Sequence, residues 1–182
     1  MKSTRIAVLA LVAALGLGLG IFSMAADDAM PQVGQMAPTF TLPSQDGTPI
    51  DLKSYRGKWV VLYFYPKDMT SGCTIEAHNF QDDLQKYDQK NAVILGVSVD
   101  STASHQQFCA KDGLHFKLLS DQDKKVVEEY GSLGEFAGIK IAKRNTFLID
   151  PQGKIVKVWT GVNPKVHSQE VLAALADAQK AA

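Results

Sequence analysis

The sequence predicts an α/β fold: a central mixed β-sheet, parallel in part, flanked by helices on both faces, with a β-hairpin ahead of it. Three observations carry this. Two continuous apolar runs, Trp59 to Tyr65 and Ala92 to Val99, have the length and the β-branched and aromatic content of strands buried on both faces. Helical patterns follow each run, so strands and helices alternate. Two turn signals, Asp46-Gly47 and Pro151-Gln152-Gly153, each lie between short strand-like segments.

The elements follow in order. Met30 to Pro38 is a polar lead-in, and residues 39–182 form the folded domain. Phe40 to Leu42 and Pro49 to Leu52 flank Asp46-Gly47 as the first hairpin. Lys53 to Lys58 is short and polar, and the Trp59 strand ends at Pro66. Cys73 to Lys90 reads as one helix, because Cys73, Ala77, Phe80, Leu84 and Tyr87 share a face. The Ala92 strand ends before Asp100. Ser101 to Lys111 is a helix with Asp100 or Ser101 as N-cap and Gly113 just past its end. Phe116 to Leu119 is a short strand, Asp123 to Tyr130 a short helix, and Gly131 to Gly138 a glycine-rich connection. That connection lacks the Gly-Lys-Ser/Thr ending of a phosphate loop. Thr146 to Asp150 and Ile155 to Trp159 form a closing hairpin, and Val166 to Ala182 is a final alanine-rich helix.

The chain begins differently. Lys2 and Arg5 precede twenty-one uncharged residues, Ile6 to Ala26, and then Asp27 and Asp28. This is the layout of a secretory signal over residues 1–25, with Ser23-Met24-Ala25 before the cut. An uncleaved anchor is the alternative, since about twenty apolar residues span a bilayer. Either way the domain is expected outside the cytoplasm, in the periplasm or anchored facing it. The 19 basic and 19 acidic side chains become 17 and 19 without Lys2 and Arg5, a net of −2. No basic run points to nucleic acid.

Two cysteines, Cys73 and Cys109, stand thirty-six residues apart. In an exported protein the plain reading is a structural disulfide. The surroundings of Cys73 suggest chemistry instead. It follows the carboxyl end of the Trp59 strand, where sites lie in open α/β sheets. It opens a helix, whose free N–H groups and dipole favour an anion, and the thiolate is the nucleophilic form of cysteine. Thr70, three residues earlier, offers a hydroxyl or a helix cap. Pro66 stiffens the exit from the strand and brings no competing N–H. Arg144, leading into the Thr146 strand, is the candidate cation, always charged and able to hold two oxygens. Together they suggest a thiolate attacking a small oxygen-bearing substrate. Trp59, Tyr63, Phe64 and Tyr65 read as core.

Pro66-x-x-x-Thr70-x-x-Cys73 matches the peroxiredoxin signature. The stretches "VVLYFYPKDMTSGCTIEAHNF", "DGLHFKLLSD" and "RNTFLIDPQGKI" resemble the Q branch, the bacterioferritin comigratory proteins, from about Val33 to the C-terminus. The resemblance implies a thioredoxin-like fold and a thiol peroxidase without metal or organic cofactor. It would reduce hydrogen peroxide and organic hydroperoxides. By resemblance Cys73 is the peroxidatic thiol, Thr70 and Arg144 polarise the peroxide and stabilise the thiolate, and Pro66 shields the site. Attack on the O–O bond leaves a Cys73 sulfenic acid. Some members place the resolving cysteine five residues on, where this chain has His78. Others place it on the next helix, near Cys109. The resemblance therefore implies an atypical two-cysteine member with an intramolecular Cys73–Cys109 disulfide, reduced by a thioredoxin-like donor, and a monomer. Bridging needs Cα atoms within about 7 Å, so local unwinding is expected.

One departure is Ser71, where this branch usually has proline. Glu76 reads either as a partner for a neighbouring cation or as a surface acid at the helix start. His78 and His105 are expected in solvent, with His105 sharing a face with Cys109. His115 and His167 carry no pattern. The competing functions are an exported disulfide oxidoreductase, which would need Cys-x-x-Cys where Thr70 stands, and a non-catalytic module stapled by its two cysteines.

Overall fold

The computed structural model describes residues 30–181, so the expected leader over 1–25 lies outside the described residues. Five strands form the central sheet in the order β5-β4-β3-β8-β9. At its middle lies β3 (Trp59–Phe64), every residue of it buried. β4 (Ala92–Ser98) pairs parallel to it on one side, and β5 (Lys117–Ser120) is parallel beyond. On the other side β8 (Asn145–Ile149) pairs antiparallel to β3, and β9 (Ile155–Thr160) pairs antiparallel to β8, as the closing hairpin predicts.

Alternate residues of β3 feed two cores. Val60, Leu62 and Phe64 meet Phe147, Ile149 and Tyr130 on one face. Val61, Tyr63 and Tyr65 meet the helices on the other. The helices are unevenly shared. α1 (Ser71–Asp82), α2 (Leu84–Gln89), α3 (Thr102–Asp112) and α5 (His167–Ala181) supply Phe80, Tyr87, Phe108 and Val171 to the second core. Only α4 (Lys125–Glu129), with Val126 and Val127, joins the first, beside Leu42 and Ile50 of the N-terminal hairpin. The crossovers β3-to-β4 and β4-to-β5 step the same way across the sheet. Right-handed connections therefore put α1, α2 and α3 on one face.

The N-terminal hairpin, β1 (Thr41–Pro43) and β2 (Pro49–Asp51), pairs Leu42 with Ile50. Gly47 takes the left-handed φ of 78° that its turn needs. Two sequence expectations need correction. The helix expected over Cys73 to Lys90 breaks at Asp83, whose carboxylate accepts from Ser168 and Gln169 of α5 and from Lys86. A side chain engaged with two partners across the interface and with Lys86 of the next turn stands where α1 ends and the chain restarts as α2. The glycine-rich stretch is not a plain loop. β6 (Leu133–Phe136) and β7 (Ile139–Ala142) form a third hairpin, with Ala137 and Gly138 at positive φ in its turn. No described helix is long and apolar enough to cross a membrane.

Candidate active site

Register builds the site. Phe64, the last residue of β3, pairs with Asn145, the first of β8. Arg144 therefore lands at the sheet end from which the chain leaves for Cys73. Tyr65 continues the ladder, donating its N–H to Val97. The loop then turns sharply, with Met69 at a left-handed φ of 56°. That conformation costs a non-glycine residue about 1–2 kcal/mol. Its neighbour Asp68, almost fully buried, pins it. The Asp68 N–H donates to Asp100 at 2.9 Å. Its carboxylate accepts from Tyr65 at 2.7 Å and Ser104 at 2.7 Å, and meets His105 Nδ1 at 2.8 Å.

α1 begins at Ser71, which puts Cys73 in its first turn as the sequence predicts. Thr70 holds the N-cap position in extended geometry, yet its side chain makes no capping hydrogen bond. Its Oγ1 lies 2.9 Å from Cys73 Sγ and 3.0 Å from the Lys67 carbonyl oxygen. The hydroxyl's single proton goes to sulfur when sulfur is the acceptor. It turns to Lys67 when the thiol itself donates. The capping role expected for Thr70 is thus replaced by the sulfur contact.

Arg144 reaches the sulfur from the opposite strand. Nη2 lies 3.1 Å from Cys73 Sγ, and Nη1 donates to Glu76 Oε2 at 2.6 Å. Burial alone would lower the Arg144 pKa. The sulfur and carboxylate beside it reverse this and raise it. Glu76 is only 1% exposed, so its reading as a surface acid is corrected. It stands one turn beyond Cys73 on the buried face of α1. Burial pushes its pKa up to about 7, and the guanidinium offsets only part of that. Gly72 lets the cation in. A Cβ there would lie 2.8 Å from Arg144 Nη2. The sequence reading passed over Gly72, because it began the helix at Cys73 whereas α1 begins at Ser71.

Pro66 is half-buried where β3 becomes the loop. Ser71 occupies the first helical position, where proline is also favoured. Both cysteines are free thiols, Cys73 buried and Cys109 half-buried on α3. Cys109 packs against the same apolar cluster that holds Cys73. Burial, then the nearby Asp68 carboxylate, push the Cys109 thiol up to about 11. His78 is exposed as expected but is also paired, with Nε2 3.0 Å from Asp112 Oδ1. His105, expected in solvent, is fully buried against Asp68 and Tyr65. The helical face it shares with Cys109 turns toward the sheet. His167 is buried as well, with Nε2 2.8 Å from Thr146 Oγ1, tying α5 to β8.

A buried sulfur in the first turn of a helix, with a hydroxyl and a guanidinium converging on it in a sheet-and-helix fold of this topology, defines a thiol-based peroxidase. Residues 33–158 match the AhpC/TSA family model, and the chain belongs to that family, within its Bcp/PrxQ peroxiredoxins. It is 45% identical over 151 residues to a putative peroxiredoxin bcp of Helicobacter pylori (strain J99), covering 79% of this chain and 97% of that one. It is 42% identical over 153 residues to peroxiredoxin Bcp of Bacillus subtilis (strain 168), covering 80% and 96%. Among solved structures, a PrxQ mutant of Xylella fastidiosa superposes with a TM-score of 0.79 at 36% identity, covering 83% of this chain and 99% of that one. The bacterioferritin comigratory protein of Xanthomonas campestris, described for its alkyl peroxide reduction activity, gives 0.72 at 39% identity, covering 76% and 90%. The thioredoxin-like peroxiredoxin fold and the peroxiredoxin class of enzyme follow.

Proposed function

We propose that this chain reduces hydrogen peroxide and organic hydroperoxides through Cys73, with Cys109 as the resolving thiol and a thioredoxin-like protein as electron donor. The observation that carries this reading is the convergence of Thr70 Oγ1 and Arg144 Nη2 on Cys73 Sγ, at 2.9 and 3.1 Å. A hydroperoxide entering there has its O–O bond polarised by the same two donors. The Cys73 sulfur attacks the nearer oxygen and the O–O bond breaks. The distal oxygen leaves as water or alcohol, taking a proton, and Cys73 becomes a sulfenic acid. The guanidinium favours the charge developing along the breaking bond, as preorganised donors do. Alkyl peroxide reduction by the Xanthomonas relative supports organic hydroperoxides as substrates.

Cys109 then attacks the Cys73 sulfur, forming the disulfide and releasing water. The two thiols lie on different helices, and local unwinding of α1 or α3 is the motion that would bring them together. Pro66 closes the strand side of the site. The resolving thiol on the same chain makes a monomer sufficient. The charged, apolar, then small-residue pattern of residues 1–25 supports export to the periplasm by a cleaved signal, or anchoring there. The donor would then be a periplasmic thioredoxin-like protein.

The test is one equivalent of hydrogen peroxide added to the reduced chain, with disulfides mapped by mass spectrometry beside Cys73→Ser and Cys109→Ser. Peroxide loss with a Cys73–Cys109 bridge, absent in both variants, is expected. Cys109→Ser should still consume one equivalent and stop at the sulfenic acid. No peroxide loss in the wild type would overturn the reading.

A further inference from the structure

Cys109 as resolving thiol has a chemical problem that Cys73 does not share. Among the described residues no hydrogen-bond donor meets its sulfur, and burial pushes its pKa up to about 11. The nucleophile is the thiolate, so a proton must leave before attack. One helical turn earlier stands His105, a residue the peroxide step does not use. Residues four apart on a helix are neighbours, and helical side chains lean toward the N-terminus, carrying Cys109 toward His105.

The chemistry of His105 is set by its partners. Asp68 is a carboxylate. Burial pushes its pKa up, but the hydrogen bond from His105, the charge His105 carries when protonated, and the hydrogen bonds from Ser104 and Tyr65 outweigh this and hold it below the ordinary value. A carboxylate only accepts, so Nδ1 at 2.8 Å carries the proton. Among the described residues the fully buried His105 Nε2 has no hydrogen-bond partner, Cys109 included. In the neutral ring Nε2 is then a lone pair without a donor, oriented by an acid on the far side. Nucleophilic triads use this pattern of nucleophile, base and orienting carboxylate. Once Nε2 takes a proton, the imidazolium faces the Asp68 carboxylate directly.

We propose that His105, oriented by Asp68, is the general base that deprotonates Cys109 during disulfide formation. This rests on the reading of Cys109 as the resolving thiol. The Cys109 S–H bond breaks and its proton passes to His105 Nε2. The Cys109 sulfur forms a bond to the Cys73 sulfur while the S–O bond of the sulfenic acid breaks. The departing hydroxide takes the proton from His105 and leaves as water. Cys109 is oxidised and the Cys73 sulfenic sulfur reduced, so no outside oxidant is needed. The groups around the pair are Tyr63, Tyr65 and Asp68 from β3 and its loop. Lys117 and Asp46 act on Cys109 from β5 and the N-terminal hairpin.

Rapid mixing of the reduced full chain with one equivalent of hydrogen peroxide, quenched and read by mass spectrometry, separates the two steps. His105→Gln is expected to slow disulfide formation about 10²-fold, the lower range for loss of a general base. Sulfenic acid formation should change far less. The remaining disulfide rate should climb roughly tenfold per pH unit between pH 7 and 10, tracking the Cys109 thiolate. The wild-type profile should be shallower. Asp68→Asn keeps the size but not the charge, and should slow the second step about tenfold. Equal slowing of both steps, or wild-type pH profiles in both variants, would overturn the proposal. A wild type that bridges its cysteines while His105→Gln bridges as fast refutes this base alone. A wild type that reaches the sulfenic acid and never bridges refutes Cys109 as resolver, and the base with it.

Discussion

The two cysteines occupy opposite chemical settings within one apolar cluster. Cys73 lies in the first turn of α1, with a hydroxyl and a guanidinium on its sulfur. Cys109 lies in the body of α3, half-buried, with a carboxylate as the nearest charge and its pKa near 11. The first sulfur has two hydrogen-bond donors already in place when substrate arrives. One without donors must lose its proton during the reaction. The comparison teaches that one fold can hold two thiols in a single apolar cluster and treat them unequally. Equal reactivity would expose the second thiol to peroxide as well.

The sharpest way to break the comparison is alkylation by iodoacetamide across pH, followed at each cysteine by peptide mass spectrometry. At pH 8 the Cys109 thiolate fraction should be about 10⁻³, since the pH lies about three units below its pKa. Its rate should therefore rise about 500-fold between pH 8 and pH 11, where half the thiol is ionised. A flat Cys109 profile over that range would remove the contrast.

Arg144→Ala attacks the other side. It removes the Nη2 contact to sulfur and leaves the buried Glu76 carboxyl without its partner. Losing one preorganised donor costs about 10²–10³ in rate. Breaking a buried pair adds about 3 kcal/mol of destabilisation. Peroxide consumption should fall by about 10², and the thermal midpoint should drop with it. An unchanged peroxide rate would show that the guanidinium is structural.

Glu76 makes a pH-dependent stability test. Its pKa rises on folding from 4.5 to about 7, so between those values the folded chain holds a proton that the unfolded chain releases. Stability from this group is complete below pH 4.5 and is lost as pH rises toward 7, by roughly 3 kcal/mol. Asp68 and Asp83, both held below their ordinary values, act with the opposite sign at lower pH. Subtracting urea curves of Glu76→Gln from those of the wild type isolates the Glu76 term. That difference should fall through the window, and a level difference would count against the buried carboxyl.

How much of this the sequence revealed depended on whether the signal was local. β3, β4 and the turns around Gly47 and Gly153 were legible because hydrophobic runs and turn chemistry are local. Cys73, Thr70 and Pro66 were legible because they lie within eight residues. Arg144 was named from its position leading into the Thr146 strand, and the family resemblance agreed; its placement depends on the Phe64–Asn145 register, which no local pattern encodes. Glu76, Asp68 and His105 were misjudged or passed over for a common reason. A charged residue reads as solvent-facing until its partner arrives from another element: Arg144 for Glu76, and Tyr65 and Ser104 with His105 for Asp68. The break at Asp83 was hidden similarly, its partners lying about 85 residues away on α5.

The smallest effect sharpens the comparison most, because it moves rate and stability in different directions. Gly72 has no positive φ to defend, and alanine is favoured over glycine in a helix by about 1 kcal/mol. Gly72→Ala should therefore leave stability unchanged or slightly higher. The added methyl would lie 2.8 Å from Arg144 Nη2 and 3.6 Å from its Cζ, with Pro164 Cγ 3.9 Å away, so the guanidinium must retreat from the sulfur. A donor displaced rather than deleted should cost less than Arg144→Ala, about tenfold in peroxide rate against the 10²–10³ of full loss. Cys109 alkylation should keep its wild-type pH profile. Because both changes act through the same contact, Gly72→Ala should add little to Arg144→Ala in the double variant. Additive losses would mean that Gly72 serves the site by a route other than the Arg144 approach.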